Sequence, residues 1–318
     1  MTIDLTFGGR VRLPLITAPM FLVSTPELAL AACSAGVIGS FPAHGTRTRD
    51  DFERWLQQME SGIQVMRDKG LNPAPYAVNL VVHPSNKRYP GDLALCEKYK
   101  VELILTSKGA PNDAFDRIHQ YGGLAFHDVA TKRHAEKALK AGADGIIAVC
   151  TGAGGHTGQQ NPFALVHEIR QLTDKPIILA GALGTGQDIL AAQVMGADMA
   201  YMGTRFIACK ESLAADDYCE MLLQSQATDV FETSALDGFP ASFLIPSLRN
   251  TGLDIEQLKR MLPGDKINAD TVKKRYAGIW ASGQGCSKVT TRESAVTVCE
   301  QLTCEYQTAK QRVMTALV

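Results

Sequence analysis

Short apolar runs alternate with helix-like segments along most of the chain. The runs lie at residues 13–20, 37–43, 76–82, 103–106, 124–129, 145–150, 176–180 and 199–202. Each run is nearly continuous, which is typical of parallel strands buried on both faces. Thr25 and Pro26 open the first intervening segment and favour a helix N-terminus there. The second segment has one apolar helix face, formed by Phe52, Trp55, Leu56, Met59 and Ile63.

Eight strand–helix units predict a (β/α)₈ TIM barrel, although the same units could form an open, doubly wound sheet. A short echo supports repetition: residues 140–144 (KAGAD) and 194–198 (VMGAD) both resemble a glycine helix stop before a strand. The alternation ends near Glu211, and we interpret residues 213–224 as the eighth barrel helix. The predicted domains are a barrel (1–224), a small helical lobe (225–290) and a C-terminal helix packing back on the barrel (291–318).

Composition and charge narrow the class of protein. The formal net charge is -1 and there is no dense Lys/Arg stripe, so we expect no nucleic-acid partner. No signal-like start and no apolar run long enough for a bilayer are present, which predicts a cytoplasmic protein with no membrane contact. The eight cysteines are scattered without metal-ligand spacing, so we expect reduced thiols and no metal site.

The glycine-rich segment 148–158 carries one histidine, His156, directly after a predicted strand. Glycines let a backbone approach a ligand closely, and a histidine can transfer protons near neutral pH. His156 is therefore the candidate catalytic residue, although a histidine is more often structural or at the surface. Serine-hydrolase, zinc-protease and P-loop motifs are absent from the sequence, so hydrolysis and phosphoryl transfer lack support.

Two further glycine loops follow the last two predicted strands. Gly181 begins one loop, and Gly203 and Thr204 form the other. In TIM barrels these loops often bind phosphate through backbone N–H groups and a helix N-terminus. The alternative is that both are ordinary tight turns.

Other strand-end residues could meet at the same site. Ala18, Pro19 and Met20 would give a flat apolar wall or an ordinary strand end. Asn79 lies within an apolar run and could hold a polar ring edge or satisfy neighbouring backbone. His127 could touch a ligand or the residues behind it. We interpret the other histidines as structural: His44, His83, His119, His134 and His167.

Together these motifs resemble the nitronate monooxygenase family, formerly called 2-nitropropane dioxygenases. The resemblance rests on Ala18-Pro19-Met20, Asn79, residues 153–158 (AGGHTG), residues 202–206 (MGTRF) with Glu211-Ser212, and residues 281–285 (ASGQG). It implies an FMN-binding TIM barrel whose lobe covers the flavin, with His156 as a base or as an orienting group for the substrate. The cofactor site that it implies comprises Ala18, Pro19, Met20, Asn79, His127, Gly154, Gly155, Gly181, Met202, Gly203, Thr204 and Gln284.

The activity implied by the resemblance is oxidation of alkyl nitronates by O2 to carbonyl compounds with release of nitrite. The alternative is an NAD(P)H-dependent flavin reductase acting on quinones or enoyl-acyl carrier protein thioesters. A third hypothesis is a non-catalytic barrel that binds a phosphorylated ligand, which would take up no FMN. The expected partners are a small-molecule substrate, O2 and a second copy of the chain in a homodimer.

The sequence departs from the family pattern at two positions. Relatives often have a Gly-Gly pair after the seventh strand, where this chain has Gly181-Ala182. Some relatives carry Lys or Gln after His127, where this chain has Asp128. Because a carboxylate disfavours a nearby anion, we do not assign Asp128 to the site.

Overall fold

Eight parallel strands form a closed ring in the computed structural model, which describes residues 7–109, 113–236, 238–262, 264–267 and 278–316. The strands are β1 (Leu15–Thr17), β2 (Gly39–Pro42), β3 (Tyr76–Val81), β4 (Leu103–Ser107), β5 (Leu124–Val129), β6 (Gly145–Val149), β8 (Ile177–Ala180) and β9 (Met199–Met202). Their order is β1-β9-β8-β6-β5-β4-β3-β2, and a parallel bridge between Ile16 and Ile38 closes the ring. The predicted TIM barrel is confirmed.

Helices follow the strands and cover the ring. Those within the described residues are α1 (Pro26–Ser34), α2 (Arg49–Asp68), α3 (Tyr89–Lys98), α4 (Ala114–Gln120), α5 (Lys132–Lys140), α6 (Pro162–Arg170), α7 (Gly186–Val194), α8 (Thr204–Ile207), α9 (Asp216–Gln224), α10 (Ile245–Asn250), α11 (Ile255–Arg260) and α12 (Ala295–Ala316). Thr25 caps α1 as predicted, because its hydroxyl accepts the Leu28 N–H at 2.9 Å. In the described ranges no helix is both long and apolar enough to cross a membrane.

The sequence echo is a repeated structural unit. Gly142 and Gly196 end their helices with φ of +102° and +104°, a conformation that favours glycine. The aspartate two residues later, Asp144 or Asp198, then accepts a backbone N–H from the neighbouring strand region, at Ala125 (2.8 Å) or Ile177 (2.7 Å). The repeated sequence therefore makes the same aspartate hydrogen bond to a neighbouring strand at two places in the ring.

The C-terminal helix α12, not α9, completes the ring of barrel helices. Val298 and Leu302 of α12 share a buried cluster with Leu28 of α1 and Ile189 of α7. Helix α9 packs elsewhere, with Leu222 in a cluster with Leu244 and Cys286. The interpretation of residues 213–224 as the eighth barrel helix is therefore wrong. Amphipathic spacing identifies both helices but does not say which of them fills the gap between α7 and α1.

The lobe contains a β-hairpin as well as the predicted helices. Strands β10 (Val230–Thr233) and β11 (Ala241–Leu244) pair antiparallel, and β11 also pairs with β7 (Gly155–His156) in the glycine-rich loop. Helices α10 and α11 follow the hairpin. The prediction of a purely helical lobe missed these strands, because each is too short to show a clear pattern. The domain limits at 224 and 290 remain a prediction.

Candidate active site

The glycine loops at the C-terminal ends of the strands pack backbone against backbone. The Gly152 carbonyl oxygen accepts the N–H groups of both Ala182 (3.1 Å) and Gln284 (2.9 Å). A Cβ at Gly154 would lie 2.6 Å from the Gly283 nitrogen, so only glycine fits there. The sequence-predicted loops after β6 and β8 thus meet the late segment around Gln284 at one mouth of the barrel.

The loop after β9 joins the same mouth. The Thr204 hydroxyl oxygen accepts the Gly283 N–H at 2.9 Å, which ties the late segment to the barrel. A Cβ at Gly203 would lie 3.3 Å from the Met20 sulfur and 3.5 Å from the Ala18 Cβ. The half-buried residues Ala18, Pro19 and Met20 therefore border this loop.

The unpaired backbone N–H groups at this mouth directly follow β8 and β9 and do not belong to the start of helix α7. The N–H groups of Gly181, Gly203 and Thr204 donate to no other residue in the described ranges. At the start of α7, by contrast, Asp188 accepts the N–H groups at 184 and 185, and Glu305 accepts the N–H at 186. The N-terminus of α7 is thus already occupied by carboxylates, whereas the N–H groups of Gly181 and of the α8 N-terminus at Gly203 and Thr204 are available to an anion.

Four other predicted cofactor residues have side chains or surroundings that offer little direct contact to a ligand: Met202, Asn79, Gln284 and Gly155. The side chain of Met202 is buried between the strands and the outer helices. Its carbonyl oxygen borders the mouth and accepts the Ala18 N–H at 2.8 Å. Asn79 is buried at the mouth, but its Nδ2 already donates to the Leu105 carbonyl oxygen (2.9 Å) and the Ser107 hydroxyl (3.0 Å). The side chain of Gln284 is exposed, and Gly155 lies at the rim with open space around it.

His127 points away from the mouth, contrary to the prediction. Its Nδ1 shares a hydrogen bond of 2.7 Å with the Thr106 hydroxyl, and its ring packs edge-on to Phe115 of α4. Burial lowers the pKa of His127 to about 4, so the imidazole is neutral at physiological pH. Because side chains alternate along a strand, His127 on the outer face of β5 leaves Asp128 facing inward. The structure therefore places the His127 side chain among the outer helices and not at the mouth, where the cofactor site was expected.

His156 lies in β7, exposed at the mouth. Its backbone position pairs with Ala241 of β11, and its ring contacts Phe239 with centroids 6.1 Å apart. Lys108 reaches the same aromatic ring, with its Nζ 5.3 Å from the Phe239 centroid. The lobe hairpin thus fixes the candidate catalytic histidine and brings it close to a cationic side chain.

Sequence reasoning missed a second histidine of the mouth. His44 follows β2, stacks on the exposed Phe21 ring at 5.3 Å, and buries an Nδ1 that has no hydrogen-bond partner within the described chain. Burial, followed by the charges of Lys108, Arg88 and His156, lowers its pKa to about 4. Its position directly after a barrel strand was the available signal, since strand-end residues converge at this mouth.

Comparisons with known proteins identify the family of this chain. The family model described as nitronate monooxygenase matches residues 9–305. The chain belongs to the nitronate monooxygenase family. A nitronate monooxygenase of Paraburkholderia phytofirmans is 26% identical over 76% of each chain. This membership establishes an oxidoreductase.

The family also includes relatives with other activities. An indene-carboxyl-CoA dehydrogenase of Rhodococcus jostii is 27% identical over 86% of this chain and 73% of its own. Among solved structures, FabK from Thermotoga maritima superimposes with a TM-score of 0.81 and 25% identity, over 99% of this chain and 98% of its own. Family membership alone therefore does not fix the substrate.

Proposed function

We propose that the barrel mouth binds FMN. The unpaired N–H groups of Gly181, Gly203 and Thr204 suit its phosphate, and the wall of Pro19 and Met20 suits the flat ring. A bound flavin supplies the electron-transfer chemistry, while the protein positions and polarises the substrate.

The reaction that we propose is oxidation of alkyl nitronates by O2, giving a carbonyl compound and nitrite. The observation that supports it most directly is the placement of His156, exposed at the mouth and sharing Phe239 with Lys108. A nitronate is a delocalised anion, and a cationic or hydrogen-bond-donating rim attracts and orients it. In its neutral form the His156 imidazole can instead remove the acidic proton of a nitroalkane.

The first test is an anaerobic visible spectrum of the purified, FMN-loaded protein before and after addition of an alkyl nitronate. We expect the flavin bands to change on addition of nitronate, and nitrite to appear once O2 is admitted. Flavin bands that do not change with nitronate, but lose absorbance when NADH or NADPH is added, would contradict this proposal and support the reductase. A protein that takes up no FMN would support the non-catalytic, phosphate-binding barrel.

A second candidate is reduction or dehydrogenation of a bulky acyl thioester or quinone. Phe21 and Phe239 flank the mouth and expose 53% and 51% of their surfaces, more apolar surface than a small nitronate needs. The Rhodococcus relative, named as a carboxyl-CoA dehydrogenase, adds to this candidate. Turnover of a nicotinamide or an acyl thioester without nitrite release would favour it.

A cytoplasmic location and a homodimer complete the proposal. All eight cysteines are free and seven of them are buried, which suits a reducing compartment. Sedimentation analysis of the purified protein tests the homodimer, which rests on the sequence-based expectation alone.

A further inference from the structure

Two polar side chains face the inside of the barrel without partners. The Oδ1 atom of Asp128, at the end of β5, is buried, and so is the hydroxyl group of Tyr201 on β9. Neither atom makes a hydrogen bond within the described residues. Buried polar groups normally have partners, so two unpaired groups at one end of a barrel call for an explanation.

Both groups lie just beneath the mouth. Tyr201 belongs to the interior cluster that also holds Ala18 and Ala180, residues next to the predicted cofactor loops. Asp128 is only partly buried as a residue, although its Oδ1 is enclosed. The carboxyl group is therefore positioned to meet a ligand that covers the mouth.

We propose that Asp128 and Tyr201 together form a hydrogen-bonding contact for the polar edge of the cofactor ring, with Asp128 as an ionisable group beneath the ring. This inference rests on the proposed binding of FMN. In its protonated form Asp128 donates to a ring oxygen or nitrogen, and in its ionised form it can only accept. The Tyr201 hydroxyl can donate or accept, and so adapts to either state.

The surroundings of Asp128 bring the pKa of its carboxyl group near neutral pH. Burial raises its pKa to about 7, and burial followed by the Asp128 charge raises the pKa of Tyr201 well above its usual value. The adjacent inward positions, Ser107 on β4 and Ile147 on β6, carry no charge. Titratable groups at the rim, within the described residues, include His44, Lys108, His156 and the Lys288–Asp188 ion pair beside the loop after β8, while His127 faces outward.

The visible spectrum of the FMN-loaded protein, recorded across neutral pH, tests the inference. In the wild type we expect the flavin bands to shift with an apparent pKa near that of Asp128, about 7. Asp128→Asn keeps the shape and removes the ionisation, so its spectrum should stay constant over this range. Tyr201→Phe should keep the titration with a displaced midpoint, because one hydrogen-bond partner is lost.

Two matched variants are controls. Tyr76→Phe removes a buried hydroxyl bonded to Glu60 at the other end of β3, and Asp68→Asn removes a carboxylate at the end of α2. Both should titrate like the wild type. An unchanged titration in Asp128→Asn, or none in the wild type, would overturn the inference while leaving FMN binding intact. A wild type that binds no FMN would overturn the proposed cofactor and this inference together.

Discussion

Backbone pairing, rather than burial, positions His156. Residues Gly155 and His156 pair with β11 of the lobe, so a change of the side chain at 156 leaves these contacts in place. Removal of the imidazole should therefore affect chemistry more than folding or FMN binding.

We predict that His156→Ala retains FMN and loses about 10²–10⁴-fold in turnover of alkyl nitronate, the usual effect of deleting an acid–base group. Flavin occupancy and steady-state nitrite release measure the two quantities separately. His167→Ala, at an exposed position of α6 where the ring hydrogen-bonds to Gln171, is the control and should behave like the wild type. Wild-type nitrite release by His156→Ala would exclude His156 from catalysis.

At positions 127 and 128 the sequence could not say which side chain faces the site. A strand buried on both faces has no polar–apolar alternation, so its inward positions are not marked by the pattern. His127 at a strand end is predicted to contact the cofactor or the residues behind it, and Asp128 is left out because a carboxylate disfavours a nearby anion. In the structure His127 packs edge-on against Phe115 of α4, a contact that the sequence does not reveal.

Among the elements, the loop after β8 contains a strained residue. Ala182 is exposed and has a φ of +56°, a left-handed conformation that costs a non-glycine residue roughly 1–2 kcal/mol. Its N–H is held by the Gly152 carbonyl oxygen, so the surrounding loops impose this conformation.

We predict that Ala182→Gly stabilises the protein by about 0.5–1 kcal/mol, because relief of strain exceeds the added entropy of the unfolded chain. Urea unfolding measures the difference. Ala191→Gly, an exposed position inside α7, should instead destabilise by about 1 kcal/mol. Equal effects of the two substitutions would contradict the assigned strain.

The elements also show where sequence patterns succeed. The apolar runs predicted all eight barrel strands, because both faces of each strand are buried. Glycines such as Gly154 and Gly181 lie where the strand-end loops approach closely and leave no room for a side chain, although their role in binding stays a prediction. The β10–β11 hairpin and His44 were missed because their roles depend on long-range pairing and stacking.

At the scale of the whole molecule, α12 closes the ring by close backbone contact with α7. A Cβ at Gly186 would lie 2.2 Å from the Tyr306 nitrogen and 2.3 Å from the Leu302 carbonyl oxygen. The Glu305 carboxylate also accepts the Gly186 N–H at 2.7 Å. The docking of the last helix therefore depends on a glycine more than a hundred residues away.

We predict that Gly186→Ala destabilises the protein by about 3 kcal/mol, because two backbones must separate to admit one methyl group. Urea unfolding gives the free energy, and hydrogen exchange should show faster exchange in α12. Gly122→Ala, at a turn with φ of +86° and open space, is the control and should cost about 1 kcal/mol from strain alone. A loss no larger than that of the control would argue against close docking.

Among the described elements, α12 is synthesised last, and it is also the helix that completes the ring between α7 and α1. Leu28 of α1 is synthesised well before Val298 and Leu302 of α12, with which it shares a buried apolar cluster. Domains commonly begin to fold during synthesis, N-terminal parts first. Here α1 must wait with this face uncovered until residues 295–316 have emerged, so the barrel reaches its native packing only after all of its strands have been made. Throughout that interval the nascent chain presents an apolar strip to chaperones and to other unfolded chains.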